Sequence, residues 1–132
     1  MGVRFPAASS PLPAVGTTIV TTAETALLTV GPFSPSIDGA LVFLFWYLVV
    51  LMGTSTTGYI TRLRRGIGIA GTVVQATTST ITTTAGTTVN ISGCYADSPG
   101  IIAGASYTMT IVQVGATANG TFADGSLLAL SL

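Results

Sequence analysis

The longest apolar run in the chain is Ala40–Met52, with the sequence ALVFLFWYLVVLM. It is shorter than the roughly 20 residues that a membrane-spanning helix requires, and its β-branched and aromatic residues favour a strand. Strict alternation gives this strand two faces that are both apolar, so we expect both to be covered. One sandwich core covers only one face. The pattern therefore predicts a central strand whose second face packs against a neighbouring subunit.

Shorter segments with strand character surround this run, and turns rich in glycine, proline and serine separate them. No segment has the periodicity of an amphipathic helix. The pattern predicts an all-β fold, a single jelly-roll-like antiparallel β-sandwich. The predicted strands are 17–22, 25–30, 40–52, 59–65, 72–78, 87–95, 105–114 and 121–132.

The first sixteen residues differ from the rest of the chain. Prolines at positions 6, 11 and 13 interrupt any apolar segment, so the stretch does not resemble a signal peptide. Proline favours extended or irregular backbone. We therefore divide the chain into an extended N-terminal arm, residues 1–16, and a sandwich domain, residues 17–132.

Charged residues are scarce, at 6% of the chain, and the net charge is zero. Such a chain offers no basic surface for nucleic acid or anionic lipid. A soluble domain usually carries about a quarter charged residues. The deficit, filled here by 23 threonines and 11 serines, predicts that other protein covers much of the surface.

The residue types that catalysis requires are mostly absent. The chain has no histidine and only four carboxylates, so we predict no catalytic residue, no metal ligand and no cofactor. Asp97 and Asp124 were considered as a glycosidase pair, but each lies in a turn-like sequence where aspartate caps the backbone. The single cysteine, Cys94, is predicted to be a small buried apolar side chain.

Arg62, Arg64 and Arg65 carry three of the four positive charges. One interpretation places them at a subunit interface, where guanidinium groups bind carboxylates or carbonyls of a neighbour. The other places them on a solvated face, paired within the chain to Glu24 or Asp97. The pattern leaves both open. The candidate interface residues are Arg62, Arg64, Arg65, Phe43, Phe45, Trp46 and Tyr47.

Four stretches together resemble small jelly-roll structural proteins of tailed-bacteriophage virions. They are TTAETALLTV (21–30), GTSTTGYITRLRRG (53–66), TTTAGTTVNISGCYAD (82–97) and PGIIAGASYTMTIVQVGATANGTF (99–122). They match a T-x-E-T-x-L opening, an R-x-R-R-G strand end and a closing Y-x-D-x-P-G…G-x-S-Y stretch. The likeness covers about residues 17–130. The strand at 40–52 is more aromatic than the family pattern.

The resemblance implies a head decoration or minor capsid protein that stabilises the particle through contacts between subunits. It implies a homo-oligomer, most simply a trimer, with major capsid or other virion proteins as partners, located in a virion assembled in the host cytoplasm. Two alternatives remain: a fibre-associated module that binds a receptor or glycan, and a small membrane-associated protein anchored by residues 40–52. Neither nucleic acid nor a membrane is expected as a partner of the favoured form.

Overall fold

The computed structural model describes residues 7–9, 19–33, 41–53, 58–80, 86–99, 105–115 and 120–131. Within these ranges the only helical element is one 3-10 turn at Gly68–Ala70. The strands are β1 Ala7–Ser9, β2 Ile19–Val20, β3 Thr25–Phe33, β4 Val42–Leu51, β5 Gly58–Arg65, β6 Thr72–Thr80, β7 Thr88–Asp97, β8 Ala105–Val114 and β9 Gly120–Ser131.

The strands form two antiparallel sheets. In the first sheet the order is β7-β4-β9, with β1 and β2 both paired to the far side of β9. Ser9 pairs with Leu128 and Ile19 with Thr121, so β1 and β2 follow one edge in the same direction. The second sheet has the order β3-β8-β5-β6. Counting β1 and β2 as one edge strand, the two four-stranded sheets have the order of a jelly roll.

This arrangement confirms the predicted fold class. Each of the eight predicted strands has a counterpart: β8 has the predicted ends, and the other seven have shifted ends. Strand β1 is not among the predicted strands, because the prolines of the N-terminal segment favour an extended arm there. It pairs with β9 of the same chain. The other residues of the predicted arm, 1–6 and 10–16, lie outside the described ranges.

Strand β4 is the centre of the first sheet because it is hydrogen-bonded along its length on both sides. All ten of its residues have partners on β7, and the register shows no irregularity. Its even-numbered side chains face the core: Val42, Leu44, Trp46, Leu48 and Val50. Burying a side chain of this size contributes about 1.5–3 kcal/mol.

The opposing sheet supplies large side chains to the same core. Tyr59, Leu63, Tyr107, Met109 and Ile111 are at most 1% exposed. They alternate along β5 and β8, so they all lie on the same face of the second sheet. The core therefore lies between β4 and the β5–β8 pair, in the middle of each sheet.

Trp46 fits into this core because the residue opposite it on β7 has no side chain. Gly93 is its register partner, and a Cβ atom at Gly93 would lie 2.5 Å from the Trp46 ring. Glycine normally weakens a strand, but here it makes room for the indole. No local sequence signal predicts this pairing, because Gly93 resembles a strand interruption when the register is unknown.

We expect Gly93→Ala to lower the free energy of unfolding by about 1–3 kcal/mol, because the new methyl group forces the Trp46 ring to move in a filled core. The measurement is urea denaturation followed by circular dichroism. Ser92→Ala, an exposed position on the same strand, is the matched control and should change stability by less than about 0.5 kcal/mol. Equal stability of the two variants would show that the indole does not depend on this space.

Candidate assembly surface

The outer face of β4 is apolar, and no other strand of the described part of the chain packs over it. Its odd-numbered side chains point away from the core. Leu41, Phe45, Tyr47 and Leu51 are each 40–43% exposed, and Phe43 is half-buried. We call the row Leu41, Phe43, Phe45, Tyr47, Val49 and Leu51 the outer row. Side chains of this size are rarely left in contact with water as a contiguous group.

The flanking strands make one half of the outer row more apolar than the other. Beside Phe43 and Phe45 lie Ala96 and Cys94 of β7, and Leu130 and Leu128 of β9. Beside Val49 the partners are Asn90 and Asp124, and beside Leu51 they are Thr88 and Thr121. The sheet surface thus changes from apolar at the Phe43 end to polar at the Leu51 end.

Two shallow depressions lie next to Phe45. One, of about 320 Å³, is lined by Phe43, Phe45, Cys94, Tyr95 and Ala96. The other, of about 250 Å³, is lined by Phe45, Trp46, Tyr47, Ser126 and Leu128. Both are open to solvent and mostly apolar. Phe45 is therefore a ridge between two hollows, a shape that a complementary protein surface can fit.

The structure places Phe43, Phe45 and Tyr47 on this surface, but it corrects the prediction for Trp46. That side chain is 6% exposed and lies on the inner face. The reason is the two-residue period of a strand, which puts Trp46 opposite to Phe45 and Tyr47. The prediction for Cys94 is also wrong: it is exposed on the outer face of β7.

Arg62 and Arg64 lie on the outer face of the second sheet and share Glu24 as a partner. Arg64 donates two hydrogen bonds of 2.8 Å to the carboxylate, and Arg62 approaches it at 3.1 Å. Thr110 donates a hydrogen bond to the same carboxylate, and Arg64 donates another to the Gly71 carbonyl. Within the single chain both arginines pair with Glu24, which is one of the two partners that the second sequence interpretation names.

Arg65 connects the two sheets. Its guanidinium donates hydrogen bonds of 2.8 and 2.5 Å to the Asp97 carboxylate at the end of β7. The hydroxyl of Tyr107, on β8, donates to the same carboxylate at 2.6 Å. Asp97 is only 5% exposed, so its charge is compensated by a cation and a hydroxyl from the opposite sheet. These interactions connect the two sheets at one end of the sandwich.

The environment of each carboxylate changes its pKa. Burial raises the pKa of Asp97, but the hydrogen bonds from Arg65 and Tyr107 and the charge of Arg65 outweigh it, so the pKa lies below the usual value. The hydrogen bond from Arg64 is the main reason why the pKa of Glu24 is also lowered. Burial, followed by the bond to Asp97, raises the pKa of Tyr107. Both carboxylates therefore hold their negative charge at neutral pH.

Asp97 and Asp124 do not form a glycosidase pair. They lie opposite Val42 and Val49 of β4, seven residues apart. At ~3.3 Å per strand residue this is about 23 Å, well beyond the roughly 5–9.5 Å that the two carboxyl groups of a glycosidase need. Asp124 accepts a hydrogen bond from the Gly125 amide, as its turn-like sequence predicts. The described side chains contain no cluster of three or more His, Cys, Asp or Glu residues that could hold a metal ion.

Residues 40–52 do not form a membrane anchor of the helical type. Val42–Leu51 is a strand with partners on both sides. Across the described ranges, no helix is long and apolar enough to cross a bilayer.

Comparisons with known proteins support the fold only. No family model matches the chain, and no curated protein matches it. The chain is similar in structure to a chain in the "Structure of infectious bursal disease virus Gx strain", with a TM-score of 0.56 and 19% identity. The match covers 98% of this chain and 32% of the other, so this chain spans about a third of its neighbour's length. The resemblance to tailed-phage proteins is not confirmed by these comparisons.

We expect stability to fall on acidification because Asp97 and Glu24 have lowered pKa values in the folded state. The carboxyl groups of the unfolded chain, with pKa values of about 4, take up protons at a higher pH than the same groups in the folded chain. The stabilisation is therefore complete above about pH 5 and is lost as the pH falls through the folded pKa values. Asp97→Asn should cost about 1–3 kcal/mol at pH 7 and make the loss between pH 5 and pH 2 shallower. The measurement is thermal unfolding across this pH range.

Asp124→Asn is the control for this prediction, because Asp124 has no ion pair among the described residues. It should follow the wild-type pH profile. If the profiles of Asp97→Asn and wild type run parallel through the acid range, Asp97 does not contribute in this way.

Proposed function

We propose that this chain is a structural component of a virus particle, which it stabilises through contacts between protein subunits. The observation that carries the proposal is the outer row of β4, a partly exposed apolar stripe at the centre of a sheet, over which no other described strand packs. The match in fold to a chain of a virus structure agrees with this role.

The distribution of charge supports the same role. The arginines 62, 64 and 65 are all bound to carboxylates of their own chain, so the described surface has few free charges to keep single copies apart. An uncovered apolar row on such a surface favours association. When a partner covers this row, each Å² of apolar area removed from water contributes ~25 cal/mol to the free energy of association. This contribution offsets part of the entropy that the subunits lose when they associate.

Within this role we propose a decoration or minor capsid component that forms a homo-oligomer, with a trimer as the simplest form, in a virion of the tailed-phage type. Major capsid or other virion proteins would be its partners. The residues of the N-terminal arm that lie outside the described ranges are proposed to bind a neighbouring subunit. The support for these finer points is the sequence resemblance alone.

A fibre-associated module that binds a receptor or glycan is the second candidate. It would require exposed aromatic side chains at the ends of the sandwich. Tyr59 is fully buried and Tyr95 faces the core and is partly buried, so the two tyrosines that the sequence offered for this role are not exposed in that way. The outer row favours association with protein.

The test is the double substitution Phe43→Ser/Phe45→Ser, measured by native mass spectrometry and analytical ultracentrifugation. We expect the wild-type chain to form oligomers and the variant to be monomeric at the same concentration, because the apolar half of the outer row is lost. Far-UV circular dichroism should be unchanged, since both side chains point out of the core.

Ile67→Ser/Ile69→Ser is the matched control. These two side chains are more exposed than the phenylalanines, at 71% and 55%, but lie at the 3-10 turn away from β4. The control should assemble as the wild type does. A wild-type chain that remains monomeric at high concentration without detergent would contradict the proposed function.

A further inference from the structure

Strand β7 differs from the other edge strands of the sandwich in having no protection against pairing. Natural sheets protect their edges with short strands, proline, charged residues or bulges. β1 and β2 have three and two residues. β3 contains Pro32 and two register irregularities. β6 has one irregularity, opposite Leu63 and Arg64.

β7 has none of these features at its outward-facing positions, and its one charged residue, Asp97, is its last residue. It is ten residues long, Thr88–Asp97, without proline, lysine or arginine, and its register with β4 is unbroken from end to end. Within the described part of the chain only β4 is hydrogen-bonded to it as a strand. Every second residue of such a strand points its N–H and C=O groups away from the sheet, where they can pair with another strand.

The chemistry of β7 fits a second copy of itself. The strand's only charge, Asp97, is turned inward and bound to Arg65 and Tyr107. Its outward-facing side chains are Thr88, Asn90, Ser92, Cys94 and Ala96, all exposed and none of them acidic or basic residues. An antiparallel copy that pairs most of the strand would therefore bring no like charges opposite each other.

The apolar surface also reaches this edge. The hollow of about 320 Å³ beside Phe45 is lined by Cys94, Tyr95 and Ala96 of β7. A strand added beside β7 would continue the sheet beyond this hollow and bring the outer rows of the two copies onto one surface, three strand spacings or about 14 Å apart. A subunit that covers both rows would then favour edge pairing.

We propose that two copies of this chain join through β7, antiparallel across a two-fold axis, so that their two β7-β4-β9 sheets become one continuous sheet. This inference rests on the proposed assembly role, and pairing of β7 with β7 is the first contact of that assembly. Isologous pairing of this kind uses the same surface on both copies and closes after two, so this inference makes a dimer, in place of a trimer, the first product of assembly. The outer rows of both copies then lie on one side of the joined sheet, which leaves a broad apolar face for a further subunit.

The first test is hydrogen–deuterium exchange of the full chain at two protein concentrations, one above and one below the concentration at which the dimer forms. We expect amides of residues 88–97 to become protected as the dimer forms. Residues 72–80, the edge strand β6, are the internal control and should exchange equally at both concentrations. Protection of β6 in place of β7 would overturn the proposal.

The second test uses charge. Ser92→Lys/Cys94→Lys and Ser92→Glu/Cys94→Glu each place like charges close together when β7 pairs with itself near its middle. We expect the dimer dissociation constant of each variant to rise about tenfold or more, and an equimolar mixture of the two to recover the wild-type value. Recovery on mixing is specific to self-pairing, because loss of folding or of another contact would not be restored.

Ala76→Lys/Thr78→Lys, at two exposed positions of β6, is the matched control and should dimerise as the wild type does. A chain that assembles but is indifferent to both β7 charge variants would overturn the edge pairing and leave the proposed function intact. A chain that stays monomeric under all conditions would overturn both the edge pairing and the proposed function. In that case Phe43→Ser/Phe45→Ser would also leave the oligomeric state unchanged.

Discussion

The structure depends on one constraint, the two-residue period of a strand that is hydrogen-bonded on both sides. β4 is held by β7 and β9 along all ten residues, so none of its side chains can rotate from one face to the other. The apolar run must therefore divide, with Leu44, Trp46 and Leu48 in the core and Phe43, Phe45 and Tyr47 outside. The composition of this single strand produces both the stable domain and the surface that needs a partner.

Five of the six charged residues that the structure describes form ion pairs within the chain. Glu24 binds Arg62 and Arg64 on one outer face, and Asp97 binds Arg65 at the end of the sandwich. Each pair joins segments that are distant in sequence, and the second crosses between sheets. Charge in this protein thus serves folding, while the surface left for association is made of aromatic and aliphatic side chains.

Sequence reasoning could predict the fold because the strand pattern and turn residues are local signals. The run at 40–52, the alternation of 105–114 and the turn residues between them were enough for a sandwich. The reasoning could not choose between the two faces of β4, because both are equally apolar and the choice depends on the register with Gly93 and the opposing sheet. Cys94 was misplaced for the same reason: its exposure follows from being opposite Phe45, a relation that no local pattern contains. The arginine partners were named as one of two possibilities, and only the three-dimensional contacts decide between them.

The position of Trp46 has an optical consequence. It is the only tryptophan of the chain, it lies on the inner face of β4 against Gly93, and its indole N–H has no hydrogen-bond partner among the described residues. Its fluorescence therefore reports a buried environment and changes when the sandwich opens. Phe45 and Tyr47, the neighbours on either side, face the opposite direction. β4 thus carries a spectroscopic reporter of folding on its inner face, and the surface where association is proposed lies on its outer face. Folding and association can therefore be followed independently in the same sample.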